Sequence, residues 1–179
     1  MKRLLALARL IDAVTDRFAT VAKWAILAAC AISTTNAVVR YSLDISSNAF
    51  LEIQWYLFAV CVMFGAAQVL RVNEHVRVDI LYGMYPTRTK VMVDLAGLLL
   101  FLLPVTLYIA WSAMPVLMRM ITSQEMSSNA GGLIRWPAML CIPLGMCLVA
   151  MQGVSEIIKR VGWLMHVYDM DTHYERPLQ

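Results

Sequence analysis

Few side chains in this sequence could do chemistry, and their placement limits what kind. The three histidines, His75, His166 and His173, are the available haem or metal ligands. A haem-binding helical bundle needs axial ligands inside its helices, and all three histidines fall outside the apolar stretches. His166 and His173 lie near Asp169, Asp171 and Glu175, but their spacing fits a solvated tail better than a metal site. A disulfide oxidoreductase needs paired, exposed thiols. Cys30, Cys61, Cys141 and Cys147 all sit inside apolar stretches, and the last two fall on different faces of one helix. They read as small hydrophobes. With no nucleophile constellation and no phosphate-cradling glycine loop, the chain is not expected to be an enzyme or to hold a cofactor. That leaves Glu52, an acid within an apolar stretch and so a functional suspect by default. Small four-helix exporters use one such Glu to exchange protons for cationic drugs. Here, however, Glu52 stands near the end of its stretch, level with Arg40, and an interfacial ion pair between the two is the simpler expectation.

The elements that carry these residues follow from composition. Of 179 residues, 60% are hydrophobic and only 15% charged, with mean hydropathy +0.66. Soluble domains are nearer about 25% charged, and one this small could not hide so much apolar surface from water. A soluble enzyme and a nucleic-acid binder are both disfavoured, despite the net charge of +3. A membrane-crossing helix needs about 20 apolar residues. Four stretches qualify, at about 20–41, 50–70, 95–118 and 136–155, so the expected fold is an all-α integral membrane domain. Twelve Lys and Arg flank these spans on one side. Only Arg40, Arg119 and Arg135 remain for the other, which places both termini in the cytoplasm.

Two further helices are expected at the membrane surface. In residues 1–17, Leu4, Leu7, Ile11 and Val14 share a face while Arg9 and Asp12 break any signal-peptide core, so an interfacial helix is preferred. Between spans 2 and 3, Val72, Val76, Ile80 and Met84 recur every four residues and suggest a short cytoplasmic interfacial helix. Residues 159–179 form a cytoplasmic tail. Pro104, Pro115, Pro143 and Gly145 forecast kinks, and Gly131-Gly132 a turn in the outer loop. Ala25, Ala29, Ser33 and Ala37 make a smooth ridge for close helix packing, within the subunit or against a partner. No internal repeat is visible, and a midplane transport site usually comes with one.

Several elements in order resemble the small membrane subunit of tripartite ATP-independent periplasmic (TRAP) transporters, the DctQ type. They are Asn36 and Arg40 in NAVVRY, Glu52 and Trp55 in LEIQWYLF, and Gly65 in MFGAAQ. His75, Arg77 and Asp79 in EHVRVDIL follow, then EMSSNAGGLIRWP with Trp136, and finally IPLG. Relatives often carry two adjacent acids where this chain has Glu52 followed by Ile53. The resemblance implies a subunit of the bacterial inner membrane with no substrate site of its own. It packs against a large membrane subunit that moves as a sodium-coupled elevator. A periplasmic binding protein delivers an organic acid, with a 2-oxo or related monocarboxylate hinted at by the EMSSNAGGL and WP elements. Arg40, Glu52, Trp55, His75, Arg77, Asp79 and Trp136 become candidate interface residues. Ser123, Glu125 and Ser128 become candidates for the docking surface of the binding protein. Interfacial helices and the tryptophans Trp24, Trp55, Trp111, Trp136 and Trp163 would anchor a static scaffold in lipid. The competing reading is a stand-alone proton-coupled exporter using Glu52.

Overall fold

The computed structural model describes residues 1–44, 47–73 and 84–169. Four long helices cover most of them. α1 spans Lys2–Leu43, α2 Asn48–Val72, α3 Thr87–Ser123 and α4 Trp136–Leu164. All four are long and apolar enough to cross a membrane. They alternate in direction, so Met1, Asn73, Pro86 and Met165 gather at one end, called here the termini end. The other end carries the 124–135 connection and is called the loop end.

The helices outrun the spans read from the sequence. Residues 2–17 and the first span are a single helix, because no Gly or Pro interrupts the chain between Met1 and Leu43. At the helical rise α1 is about 63 Å long, twice the roughly 30 Å of a bilayer's hydrocarbon. Its packed face is a stripe of small residues. Leu4 and Leu7 point outward, while Ala8, Thr15, Ala19, Ala22, Ala25 and Ala29 are buried. Small side chains let the neighbouring backbones come close. Half of the forecast ridge is used in this way, and its continuation, Ser33 and Ala37, stays exposed. α4 likewise runs beyond Ser155 to Leu164, so Lys159 and Arg160 belong to a helix rather than to a free tail. The forecast interfacial helix between spans 2 and 3 lies almost entirely outside the described residues.

α4 is the central element. Among the described residues it packs against α1, α2 and α3, whereas the extended contacts of α3 are with α4. The result is an open slab, with α3 on one flank and the α1–α2 pair on the other. Gly145 explains one close approach. A Cβ there would stand 2.6 Å from the Met63 Cβ and 2.7 Å from its carbonyl oxygen, so the α2–α4 spacing requires glycine. In α3 the helix widens to a π turn at Leu98–Leu102, where the Leu103 N–H reaches the Leu98 carbonyl. Pro104 follows at once; it has no N–H to give and its ring crowds the preceding turn.

Candidate functional site

At the loop end one face of α2 holds the 124–135 connection by its backbone. Asn48, Glu52 and Tyr56 recur every four residues and so share that face. The Asn48 amide donates to the Ala130 carbonyl at 2.9 Å, and the Tyr56 hydroxyl donates to the Ile134 carbonyl at 2.7 Å. Between them Glu52 is 97% shielded from solvent, with 3% exposure. One carboxylate oxygen accepts from the Asn129 amide at 2.9 Å, the other from the Leu133 backbone N–H at 2.6 Å. The connection folds back on itself through Ser127 N–H to Leu133 C=O and Arg135 N–H to Glu125 C=O, at 2.9 and 3.0 Å. Glu125 also pairs with the Arg135 guanidinium.

The Gly131-Gly132 turn occurs where it was forecast. Gly131 takes a positive φ of 71°, and a Cβ on Gly132 would stand 2.6 Å from the Ser127 Cβ and 2.9 Å from a Glu52 oxygen. Glu52 is therefore turned to the loop and not to Arg40. Arg40 is exposed in the last turn of α1 and has no ion pair among the described residues. The forecast pair fails because the loop offers backbone and amide donors that a charge count along the sequence does not register.

The remaining candidates divide by position. Trp55 points outward from α2. Ser123, Ser128 and the half-buried Glu125 and Trp136 lie at or beside the loop, so the structure gathers these with Arg40 and Glu52 at one end. His75, Arg77 and Asp79 lie outside the described residues. Cys141 is buried and Cys61 half-buried, while Cys30 and Cys147 are exposed on helix faces.

The termini end carries a second polar cluster that sequence reasoning missed. Asp12 on α1 accepts from Gln152 at 3.0 Å, Ser155 at 2.8 Å and Lys159 at 2.8 Å, all on α4. Lys159 also bonds Glu156 at 2.9 Å. Glu156 in turn holds Arg160 at 2.6 Å, and Arg160 reaches Asp94 of α3 at 3.3 Å. Thr15 donates to Gln152 at 2.8 Å, and both side chains are fully buried. Arg71 of α2 joins through Asp16 and through the Asp12 carbonyl at 3.3 Å. All four helices thus contribute. The available signal was periodicity: Asp12, Thr15 and Ala19 share a face of α1, as do Gln152, Ser155, Glu156 and Lys159 on α4.

Among the described residues no group of three or more His, Cys, Asp and Glu could hold a metal ion. Both clusters hold helices and a loop in place within an apolar slab. The family described as "Tripartite ATP-independent periplasmic transporters, DctQ component" matches residues 29–162. The chain belongs to the DctQ family. This DctQ protein is accordingly a transporter component, and the matched region takes in α2, α3, the loop clasp and most of α4. Searches among curated proteins and among solved structures return no match.

Proposed function

We propose that this DctQ chain is the static small subunit of a TRAP transporter in a bacterial inner membrane. It supports sodium-coupled uptake of an organic acid that a periplasmic binding protein delivers to a separate large membrane subunit. The observation that carries this reading is the state of Glu52. Both of its oxygens are engaged by the loop at 2.6 and 2.9 Å, so it is spent on architecture and is not free to exchange a proton for a cargo cation. That weighs against the lone-exporter alternative. In this reading the loop end is periplasmic and the termini end, rich in Lys and Arg, is cytoplasmic. Arg40, Trp55 and Trp136 face the partners or the lipid, and Ser123, Glu125 and Ser128 form part of the surface the binding protein meets. His75, Arg77 and Asp79 are proposed as a cytoplasmic contact with the large subunit. Outward Leu4 and Leu7 contribute a lipid contact.

Reconstitution in liposomes tests the proposal. Uptake of a carboxylate is expected only when this chain, the large subunit, the binding protein and a sodium gradient are combined. Proton-coupled cation efflux by this chain alone would overturn it.

A further inference from the structure

Beneath the loop clasp lies a concavity of about 250 Å³ that α2, α3 and α4 line together, through Tyr56, Met120, Arg135, Ala138, Met139 and Ile142. Its chemistry is graded by depth. Arg135 borders the uncharged stretch Trp136–Ser155, and Arg119, next to Met120, borders the uncharged stretch Leu95–Met118. Ala138, Met139 and Ile142 follow within about 11 Å of Arg135 at the helical rise. The groove is therefore cationic where the apolar spans begin and apolar beyond that level.

Both guanidiniums have capacity to spare. Glu125 takes one nitrogen of Arg135, whose side chain stays 53% exposed, and a guanidinium carries five N–H donors. Arg119 is exposed and makes no ion pair among the described residues. Glu52, the other acid near Arg135, is held by Asn129 and Leu133. The Tyr56 hydroxyl already donates to the Ile134 carbonyl. The polar demand of the groove is thus for an anion at its rim.

A bare helix face shows the bilayer a convex surface, on which one acyl chain replaces another freely. A concavity differs, because atoms that line an empty space forfeit dispersion contacts, and at this depth phospholipid is the molecule at hand to restore them. The volume falls below the roughly 300–1,000 Å³ of pockets that enclose a whole small ligand, and it suits the upper part of one acyl chain better than an entire solute. Free phosphate would gain from the arginines but nothing from walls of Ala, Met and Ile.

We propose that this groove binds one anionic phospholipid. The phosphate lies against Arg135 and Arg119, where the guanidinium fork suits its oxygens. The first part of one acyl chain lies on Ala138, Met139 and Ile142, between α2 and α3, each of which packs on α4. The site requires only that the chain spans a membrane, and it is independent of the subunit assignment.

The full chain, purified in detergent and offered equal amounts of phosphatidylglycerol and phosphatidylcholine, provides the test, with retention read by native mass spectrometry. One phosphatidylglycerol per chain is expected, favoured about fivefold. Arg119→Gln should remove most of that preference, and Ala138→Phe should release lipid of either headgroup. Should Ala138→Phe fail to fold, the exposed Arg119 still carries the test. In vesicles, a phosphatidylglycerol with a diazirine high in its acyl chain should label peptides that hold Met120 and residues 138–142. Labelling spread evenly over the outward faces of all four helices would overturn the site. So would equal retention of the two lipids with Arg119→Gln without effect. Complete displacement of phosphatidylglycerol by millimolar inorganic phosphate would overturn it too, because the apolar floor would then contribute nothing.

Discussion

The two ends of this protein use buried polar groups in opposite ways. At the termini end, side chains from four helices bond one another, with charge against charge, and the effect is to fix helices relative to helices. At the loop end, one carboxylate and two neighbours on α2 bond mainly backbone groups of a single connection, and the effect is to fix a loop's shape. Burying a charge is expensive, and removing one partner of a buried set leaves the others without compensation. The helix-to-helix cluster should therefore be the more fragile of the two to single substitutions, and the loop clasp the more local.

The sharpest way to break that contrast is at Asp12. Asp12→Ala removes the acceptor of Gln152, Ser155 and Lys159 together. A loss of about 3–5 kcal/mol is expected, read as a lower thermal midpoint and poorer yield in detergent. A midpoint equal to that of the parent chain would show that the cluster is not holding α1 to α4. Next in size is Gly132→Ala. Its new methyl meets Ser127 and Glu52, and overpacking of this kind costs about 1–3 kcal/mol. The damage should appear as protease sensitivity within 124–135, with helix content unchanged.

Glu52→Gln sharpens the comparison further, because it keeps one acceptor near the Leu133 N–H while discarding the charge. About 1 kcal/mol should be lost, seen as faster hydrogen exchange at that amide and little change elsewhere. Faster exchange spread through all four helices would erase the distinction between local and global holding. The smallest effect is expected at Arg40. Arg40→Ala should stay within about 0.5 kcal/mol of the parent, since Arg40 makes no ion pair among the described residues. A large drop in the midpoint would restore the forecast pairing with Glu52.

Four spans could be read from the sequence because lipid imposes a length and a composition that few other environments share. The loop turn at Gly131-Gly132 was equally readable, since backbone conformation leaves few alternatives there. Less visible was the inward face of α1. The leucines at 4 and 7 marked an apolar side meant for lipid, but the packed face opposite, chosen by smallness and hydrogen bonding through Ala8, Asp12 and Thr15, had no reading of its own. Glu52 was singled out but assigned a partner other than the loop donors it meets. Its donors lie 77 and 81 residues away in the chain, and one is a backbone amide that no side-chain inventory includes.

The central position of α4 has a consequence for how the protein is made. α4 is the last of the four helices to leave the ribosome, yet α3 packs on it and Asp12 finds Gln152, Ser155 and Lys159 there. Until α4 arrives, α3 sits in the bilayer without its intramolecular neighbour and Asp12 lacks most of its bonds. The α1–α2 hairpin can close early, but the remainder of the assembly must wait for the final insertion event. Nascent chains arrested before Trp136 should consequently be substrates for membrane quality control.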